Sequence, residues 1–290
     1  MLEELFRRAQ ALRERLAQAD RRTLARALNR ARKLWVPYEP RDAGEELRVL
    51  GVDSGWNVRL YEGFYVYALR AAAVDEAEQV RHSLVEFEAI AGEQDGLTPE
   101  LWLKTRAEMA EHGIAAQASH EADLVLVDGS MIARLLSASL LLPSGSRNVE
   151  YLQRARALRG RENVLFIAKF SQGVALLGEE LGDIYYLGTA TSEPGYALVP
   201  PREVHDVRVS TAYVRLVEHA RPLRIESPAP LDDERIRRIM DALAPRSVKG
   251  YPYALYLAHR TVYVGSDLMD MLCEAAGLSA LPEAREVLEL

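Results

Sequence analysis

The chain has 290 residues, 49% of them hydrophobic and 27% charged, which is the balance of a globular protein with a sizeable core. It contains no apolar stretch long enough to span a bilayer and no apolar block near its start, so we expect a soluble, cytoplasmic protein. The lone cysteine, Cys273, excludes an intrachain disulfide and a cysteine-rich zinc site. A net charge of −7 excludes a general attraction to nucleic acid, so any contact with it has to be local.

Positive charge is concentrated at the start of the chain. Residues 1–34 hold ten Lys or Arg and four acids, a charge of +6, which leaves −13 for the remaining residues. Apolar residues at helical spacing predict two helices here, 2–18 and 21–34. Prolines at 37 and 40 then interrupt the pattern, and residues 41–46 indicate a linker. We therefore divide the chain into an N-terminal helical arm, 1–40, and a main domain, 41–290. The basic arm fits phosphate or partner contact, and equally a solvated helix face.

The main domain alternates between strands and helices. The predicted strands cover residues 48–55, 63–74, 80–90, 122–130, 163–171, 206–216 and 223–227. The predicted helices cover residues 98–118, 149–159, 231–244 and 266–276. The first three strands form a meander, and Pro99 at the first turn marks the start of the helix that follows them. This order predicts an α/β fold with a mixed β-sheet flanked by helices.

Two aspartates follow apolar runs at strand ends. Asp53 comes after Val-Leu-Gly-Val and Asp128 after Leu-Val-Leu-Val, each just before Ser-Gly or Gly-Ser. Ligands of open α/β sheets gather beyond the carboxyl ends of the strands. Two carboxylates at one edge would repel unless a cation lay between them, and hard oxygen ligands suit Mg²⁺ or Mn²⁺. This is the chemistry of two-metal nucleases. Each aspartate taken alone is also a common turn residue.

The helix between these aspartates offers a third carboxylate. Glu108 and Glu111 are three residues apart and share a helix face, so either one is placed to point toward the sheet edge. A glutamate on a helix is otherwise most often exposed, and the residues alone do not choose between the two.

Three motifs together resemble the NurA family of nucleases: GVDSG at 51–55, LVDGS at 126–130 and GYPYALYLAH at 250–259. The segments IAKFS at 167–171 and AYVRL at 212–216 also match. The resemblance covers nearly the whole chain from residue 48 onward. No single motif is specific, but their order and the late Tyr-Pro…His ending are specific in combination.

The resemblance implies an RNase H-like core and a Mn²⁺-dependent nuclease, with Mg²⁺ as a possible substitute. It implies degradation of single- and double-stranded DNA by a 5′→3′ exonuclease that also cuts single strands internally. It further implies a homodimer that works with a HerA-type hexameric ATPase in DNA-end resection and recombinational repair.

Site residues carry over from the resemblance position by position. Asp53 matches the first acid of the family, Asp128 the acid of the Asp-Gly-Ser motif, and Glu111 the helix glutamate, with Glu108 as the alternative. His259 matches the late histidine. The resemblance thus implies that the metal ligands are Asp53, Glu111, Asp128 and His259.

Two further catalytic residues are implied by the same resemblance. Tyr251 matches the tyrosine before proline, and Lys169 matches a lysine at the end of the third core strand. A lysine there can neutralise charge on a phosphate, although such lysines are usually solvated. Tyr251 can bind a phosphate or pack beside Pro252. Trp56 departs from the family, which has a small or charged residue there. The other histidines show no paired spacing and are interpreted as surface or structural: His82, His112, His120, His205 and His219.

Two other functions stay open at this point. A sugar-kinase or actin-like ATPase also begins with an Asp-x-Gly turn after a strand, but it adds a glycine-rich adenosine motif that residues 180–280 lack. A non-catalytic DNA clamp, or a cofactor of a translocase, would use the same acids as turn residues and would need no metal.

Overall fold

A mixed β-sheet organises the computed structural model, which describes residues 1–18, 21–41, 46–91, 97–141 and 146–278. Within these ranges the strands of the sheet are β1 (Val36–Pro37), β2 (Val49–Tyr61), β3 (Phe64–Asp75), β4 (Val80–Ala91), β5 (Leu124–Asp128), β6 (Val164–Ala168), β7 (Gly195–Val204), β8 (Val207–Arg215) and β9 (Leu223–Ser227). Their order across the sheet is β1-β7-β8-β9-β6-β5-β2-β3-β4. A separate short hairpin pairs β10 (Ser247–Val248) with β11 (Tyr251–Pro252).

The helices in the same ranges are α1 (Leu2–Gln18), α2 (Arg21–Leu34), α3 (Pro99–Ala118), α4 (Met131–Leu141), α5 (Ser146–Arg156), α6 (Asp183–Ala190), α7 (Asp233–Leu243), α8 (Tyr253–Val262) and α9 (Ser266–Ala275). Side-chain caps fix two of the helix starts. The Thr98 hydroxyl accepts from the Leu101 N–H at 3.3 Å, and Asp232 accepts from the Arg235 N–H at 2.8 Å. Such caps satisfy N–H groups that have no partner inside the helix. The predicted α/β fold with a mixed sheet flanked by helices is confirmed.

The centre of the sheet combines a meander with two parallel strands. β2, β3 and β4 pair antiparallel, as predicted. β5 pairs parallel to β2, and β6 pairs parallel to β5. The carboxyl ends of β2, β5 and β6 therefore point the same way. That β2 to β6 form the RNase H-like core implied by the family resemblance stays a prediction.

Helices cover both faces of this core, and side-chain alternation assigns each residue to a face. Leu50, Val52, Val125 and Val127 pack on one face against α3, α4 and α5. Leu126, Leu165 and Ile167 pack on the other face against α7 and α8. The runs Val-Leu-Gly-Val and Leu-Val-Leu-Val are apolar throughout because both faces of their strands are buried.

Several elements lie where the sequence pattern gave no prediction, among them β7, α4, α6, α8 and the β10–β11 hairpin. β7 contains Pro200-Pro201, and its pairing with β8 shifts register between Val199 and Arg202. Proline has no N–H for the ladder, so it obscures a strand in the sequence. Val36 and Pro37 form β1 against β7, although the prolines at 37 and 40 were expected to interrupt regular structure here. Most of the expected linker at 41–46 lies outside the described residues.

The second helix of the N-terminal arm packs on the main domain. Ala27, Ala31 and Trp35 are buried against α6 and the neighbouring strands, and Arg30 pairs with Glu179 at 3.0 Å. α1 instead exposes its apolar residues Leu2, Leu5 and Phe6. The boundary at residue 40 stays a prediction. In the described ranges, no helix is both long and apolar enough to cross a membrane.

Gly51 sets how closely α8 approaches the sheet. A Cβ at this position would lie 2.2 Å from the Ala254 carbonyl oxygen, which is backbone and has little room to move. This close approach places the later residues of α8 over β2 near Asp53. The glycine of the GVDSG motif is therefore explained by packing.

We predict that Gly51→Ala lowers the free energy of unfolding by about 1–3 kcal/mol, because the added methyl group overpacks the contact. Urea unfolding of the metal-free protein measures it. Gly188→Ala on α6 is the matched control, since its Cβ would come no closer than 3.5 Å to Pro222. Equal stabilities of Gly51→Ala and the parent protein would contradict this account.

Candidate active site

Two carboxylates meet where the parallel pairing of β2 with β5 ends. Asp53 and Asp128 directly follow Val52 and Val127, the last residues that pair these two strands with each other. Asp53 is only 7% exposed. Burial raises the pKa of Asp53, and the neighbouring Asp128 charge raises it further. The two acids lie together, as the sequence predicted. The strand end expected at Asp53 is wrong, because β2 continues through Asp53 to Tyr61.

Lys169 joins the two acids on the same face of the sheet. It follows Ala168 at the end of β6, and its Nζ lies 3.9 Å from the Asp128 Oδ2. The ammonium also lies 4.2 Å from the centre of the Tyr251 ring, a cation–π contact. The lysine therefore brings positive charge to the edge where two negative charges converge.

α8 and β11 bring two further side chains to this face. The His259 Nδ1 lies 2.9 Å from the Asp53 Oδ2, and the Tyr251 hydroxyl donates to the Asp128 Oδ1 at 3.4 Å. Burial and the charges of Asp128 and Asp53 raise the pKa of Tyr251, so its hydroxyl keeps its proton. The His259 side chain is 59% exposed and stands between Asp53 and solvent.

Glu111 approaches from the opposite face of the sheet. It extends from α3 and accepts a hydrogen bond from the Ser54 hydroxyl, next to Asp53 in sequence. Burial raises the pKa of Glu111 to about 7, although the charge of Arg134 opposes that rise. Glu108 points elsewhere, because its carboxylate accepts from the Tyr151 hydroxyl at 2.6 Å. Of the two glutamates that the sequence left open, Glu111 is the one beside Asp53.

The sequence analysis missed the partner of Glu111. Arg134 on α4 is 8% exposed, and its Nη2 donates to the Glu111 Oε2 and to the Asp128 carbonyl oxygen, each at 2.5 Å. Its guanidinium also lies over the Phe166 ring at 5.6 Å. Arg134 is the sole charged residue of an apolar helix, and this is the signal that could have found it.

A second buried pair holds the Asp-Gly-Ser turn. Glu226 on β9 is fully buried, and it accepts from the Ser130 hydroxyl at 2.9 Å and from the Ile132 N–H at 2.9 Å. Arg224 balances its charge at 2.6 Å. Gly129 takes a φ of +102°, which favours glycine. The turn after Asp128 is thus fixed by a carboxylate ninety-six residues away in sequence, a contact that no local pattern indicates.

Trp56 and His112 are structural. Trp56 packs with Tyr67 and Trp102 on the α3 face, away from the Asp53 and Asp128 side chains. His112 is fully buried, with its ring edge-to-face with those of Tyr151 and Phe166. Burial lowers the pKa of His112 far below its usual value, so it stays neutral.

The donor chemistry of the site fits a divalent cation, but the donors are not yet arranged around one. Among the described residues, no three His, Cys, Asp or Glu side chains form a group ready to hold a metal ion. Asp53 and Asp128 lie on one face, whereas Glu111 reaches in from the other and is engaged by Arg134. The oxygen-rich set and the raised pKa of Asp53 still fit a hard cation, because such an ion favours the ionised form.

We predict that Arg134→Met lowers the free energy of unfolding by about 3–5 kcal/mol, because it leaves the buried Glu111 charge without a partner. Urea unfolding in EDTA measures the loss. The double variant Arg134→Met/Glu111→Gln should recover part of it, since the uncompensated charge is then gone. Additive losses from the two substitutions would show that the pair does not couple.

Comparison with known proteins extends these observations. A family model described as the NurA domain matches residues 47–264. The DNA double-strand break repair nuclease NurA of Saccharolobus solfataricus is 32% identical over 114 residues, which are 34% of this chain and 34% of that protein. The DNA double-strand break repair nuclease NurA of Sulfolobus acidocaldarius is 22% identical over 281 residues, which are 81% of this chain and 82% of that protein.

Solved structures share the fold. The crystal structure of the NurA nuclease from Sulfolobus solfataricus gives a TM-score of 0.76 at 19% identity, covering 96% of this chain and 97% of that one. A crystal structure of NurA bound to dAMP and manganese gives 0.67 at 14% identity, covering 99% of each chain. Because the family model spans most of the chain, including Asp53, Asp128 and His259, this protein belongs to the NurA family.

Proposed function

We propose that the protein is a divalent-metal-dependent DNA nuclease that acts in the repair of DNA breaks. The observation that carries the proposal is the convergence of Asp53 and Asp128 at one sheet edge, with Lys169, Tyr251 and His259 within hydrogen-bond or ion-pair distance of them. Two relatives that are named DNA double-strand break repair nuclease NurA match this chain over most of their own length.

The metal ligands that we propose are Asp53, Asp128, His259 and Glu111, with Mn²⁺ as the preferred ion and Mg²⁺ as the substitute. A bound divalent ion would lower the pKa of a water molecule and offset charge on the leaving oxygen of a phosphodiester. Glu111 would join after exchanging part of its contact with Arg134. The manganese in a NurA structure of the same fold supports the choice of ion.

The remaining side chains act on the substrate itself. The Lys169 ammonium is placed to meet a phosphate oxygen near Asp128 and to balance charge that builds on it. Tyr251 keeps its proton and therefore acts as a hydrogen-bond donor, either to Asp128 or to a phosphate. His259 is exposed on its solvent side, where it can orient a water molecule while Asp53 holds the ring.

Finer features follow the family resemblance and are part of the same proposal. We propose 5′→3′ exonuclease and single-strand endonuclease activity on single- and double-stranded DNA, in a homodimer that works with a HerA-type hexameric ATPase in the cytoplasm. The exposed apolar residues Leu2, Leu5 and Phe6 of α1 offer a surface for a protein contact. The basic residues of the arm would guide DNA, although Arg30 is already paired with Glu179.

One observation favours a second function, a DNA clamp without catalysis. The described residues hold no ready three-ligand group for a metal, and Glu111 is paired with Arg134. A clamp would bind DNA without needing a cation. The experiments below separate the two, since a clamp would neither cut DNA nor gain stability from Mn²⁺ at Asp53.

We predict that Asp53→Asn and Asp128→Asn each reduce DNA cleavage by about 10²–10³-fold or more, because each removes a charge that the reaction needs. End-labelled single- and double-stranded DNA with Mn²⁺, Mg²⁺ or EDTA provides the assay. Glu234→Gln is the matched control, an exposed carboxylate on α7 whose loss should leave cleavage unchanged. Full activity in both aspartate variants would overturn the site.

We also predict that Mn²⁺ raises the melting temperature of the parent protein and not that of Asp53→Asn. A ligand at a hundred times its Kd adds about 2.7 kcal/mol, or roughly 5–10 °C for a domain of this size. Differential scanning fluorimetry measures the shift without any need for cleavage. The same shift in Asp53→Asn would place the ion elsewhere.

A further inference from the structure

Phe170 is an exposed aromatic side chain next to the candidate active site. It directly follows Lys169 and is 78% exposed. A single exposed apolar residue is ordinary on a protein surface. Phe170 is unusual because a second exposed aromatic residue, Tyr185, lines the same groove and is 47% exposed.

This groove has the size and lining of a ligand site. Its volume is about 420 Å³, within the range of about 300–1,000 Å³ typical of pockets that bind small ligands. Its walls combine two aromatic rings, three cations and hydroxyl groups, contributed among others by Phe170, Tyr185, Lys169, Arg215, Arg221 and Thr189.

The charges of the groove point to an anionic chain that continues into the active site. Lys169 belongs to both places, because it lines the groove and its Nζ lies 3.9 Å from the Asp128 Oδ2. Arg221 is exposed and forms no ion pair with any residue that the structure describes. Cations spaced along a groove with aromatic rings between them are the usual design for a single nucleic-acid strand.

We propose that this groove holds a single-stranded segment of DNA beside the phosphate that is cut, with bases stacked on Phe170 and Tyr185 and a backbone phosphate on Arg221. The inference rests on the proposed nuclease function and adds where the strand lies. Base stacking on aromatic side chains needs a free base face. In a duplex the neighbouring base pairs cover those faces, so the groove selects unpaired DNA or a frayed end.

A second cavity lies on the other side of Phe170 and fits a strand less well. Its volume is about 590 Å³, but Phe170 is the one aromatic residue in its lining. Its residue Arg224 is already paired with the buried Glu226 at 2.6 Å. The inference therefore commits to the groove with Tyr185, and Tyr185 separates the two paths experimentally.

The test measures binding without cleavage, by fluorescence anisotropy of a labelled oligothymidylate in EDTA. Phe170→Ala and Tyr185→Ala should each weaken binding by about 5- to 100-fold, the range of one lost stacking contact. Phe170→Trp should retain the affinity of the parent protein. Phe87→Ala on β4 is the matched control, since it removes an exposed phenylalanine from another part of the sheet and should change nothing.

A second readout reports stacking directly. The indole fluorescence of Phe170→Trp should be quenched by oligothymidylate, whereas that of Phe87→Trp should not. Arg221→Gln should flatten the salt dependence of binding by about one phosphate contact. Affinity for a blunt-ended duplex should be the same in Phe170→Ala as in the parent protein.

Unchanged oligothymidylate affinity in Phe170→Ala or in Tyr185→Ala would overturn the inference. An equal loss of duplex affinity would also overturn it, because the groove would then not select unpaired DNA. Failure of the proposed nuclease function has a different signature, the absence of metal-dependent cleavage by the parent protein. Because binding is measured in EDTA, the two failures are told apart.

Discussion

Parallel pairing of β2 with β5 forces two carboxylates of like charge to adjacent positions. Neither Asp53 nor Asp128 can move away, since each extends from a strand whose two faces are buried. Burial raises the pKa of Asp53 and the charge of Asp128 raises it further, so the repulsion of the two acids would be costly if nothing opposed it. The surrounding structure opposes it from three directions, through Lys169, through the hydroxyl of Tyr251 and through the ring of His259.

Lys169 comes from the end of β6, whereas Tyr251 and His259 come from one late segment, so the charge balance of the site depends on how that segment packs on the sheet. Tyr251 and His259 approach because α8 lies against β2, and α8 can lie there because Gly51 has no side chain. Gly55 allows a second close contact, with Val262 of α8, so two missing methyl groups leave the room that brings the late histidine to Asp53. This is why a motif of small residues and a motif two hundred residues later belong to one site.

The sequence predicted the parts of this site that depend on local order. Asp53 and Asp128 each follow a buried apolar run, and their meeting follows from the parallel pairing of β2 with β5. The sequence did not show that β2 continues past Asp53 to Tyr61. The choice between Glu108 and Glu111 was out of reach, because the two share a helix face. Their partners, Tyr151 and Ser54, come from remote elements and decide it. The family resemblance chose Glu111 as the helix glutamate, and Glu111 lies beside Asp53, while its role as a metal ligand stays a prediction.

Arg134 and Glu226 were missed for a related reason. Arg134 pairs with Glu111, which lies 23 residues away, and Glu226 accepts from Ser130, which lies 96 residues away. A pattern of periodic hydrophobicity treats each buried charge only as an interruption. The Pro200-Pro201 pair hid β7 in a similar way, because the strand tolerates it only by a shift of register. The features that could not be predicted from the sequence are thus those that depart from local rules and are stabilised by tertiary contacts.

The staggered ends of the strands explain how Glu111 reaches acids on the opposite face. β5 ends at Asp128, whereas β2 continues to Tyr61. Beyond Asp53, no residue of β5 therefore pairs with β2. Glu111 enters at that point, where Ser54 faces α3. Arg134 crosses the same place, since it contacts both Glu111 and the last carbonyl of β5. Where β2 extends past the end of β5, side chains from both faces of the sheet therefore come close to one another. A cation bound there would interact with the charges on both faces.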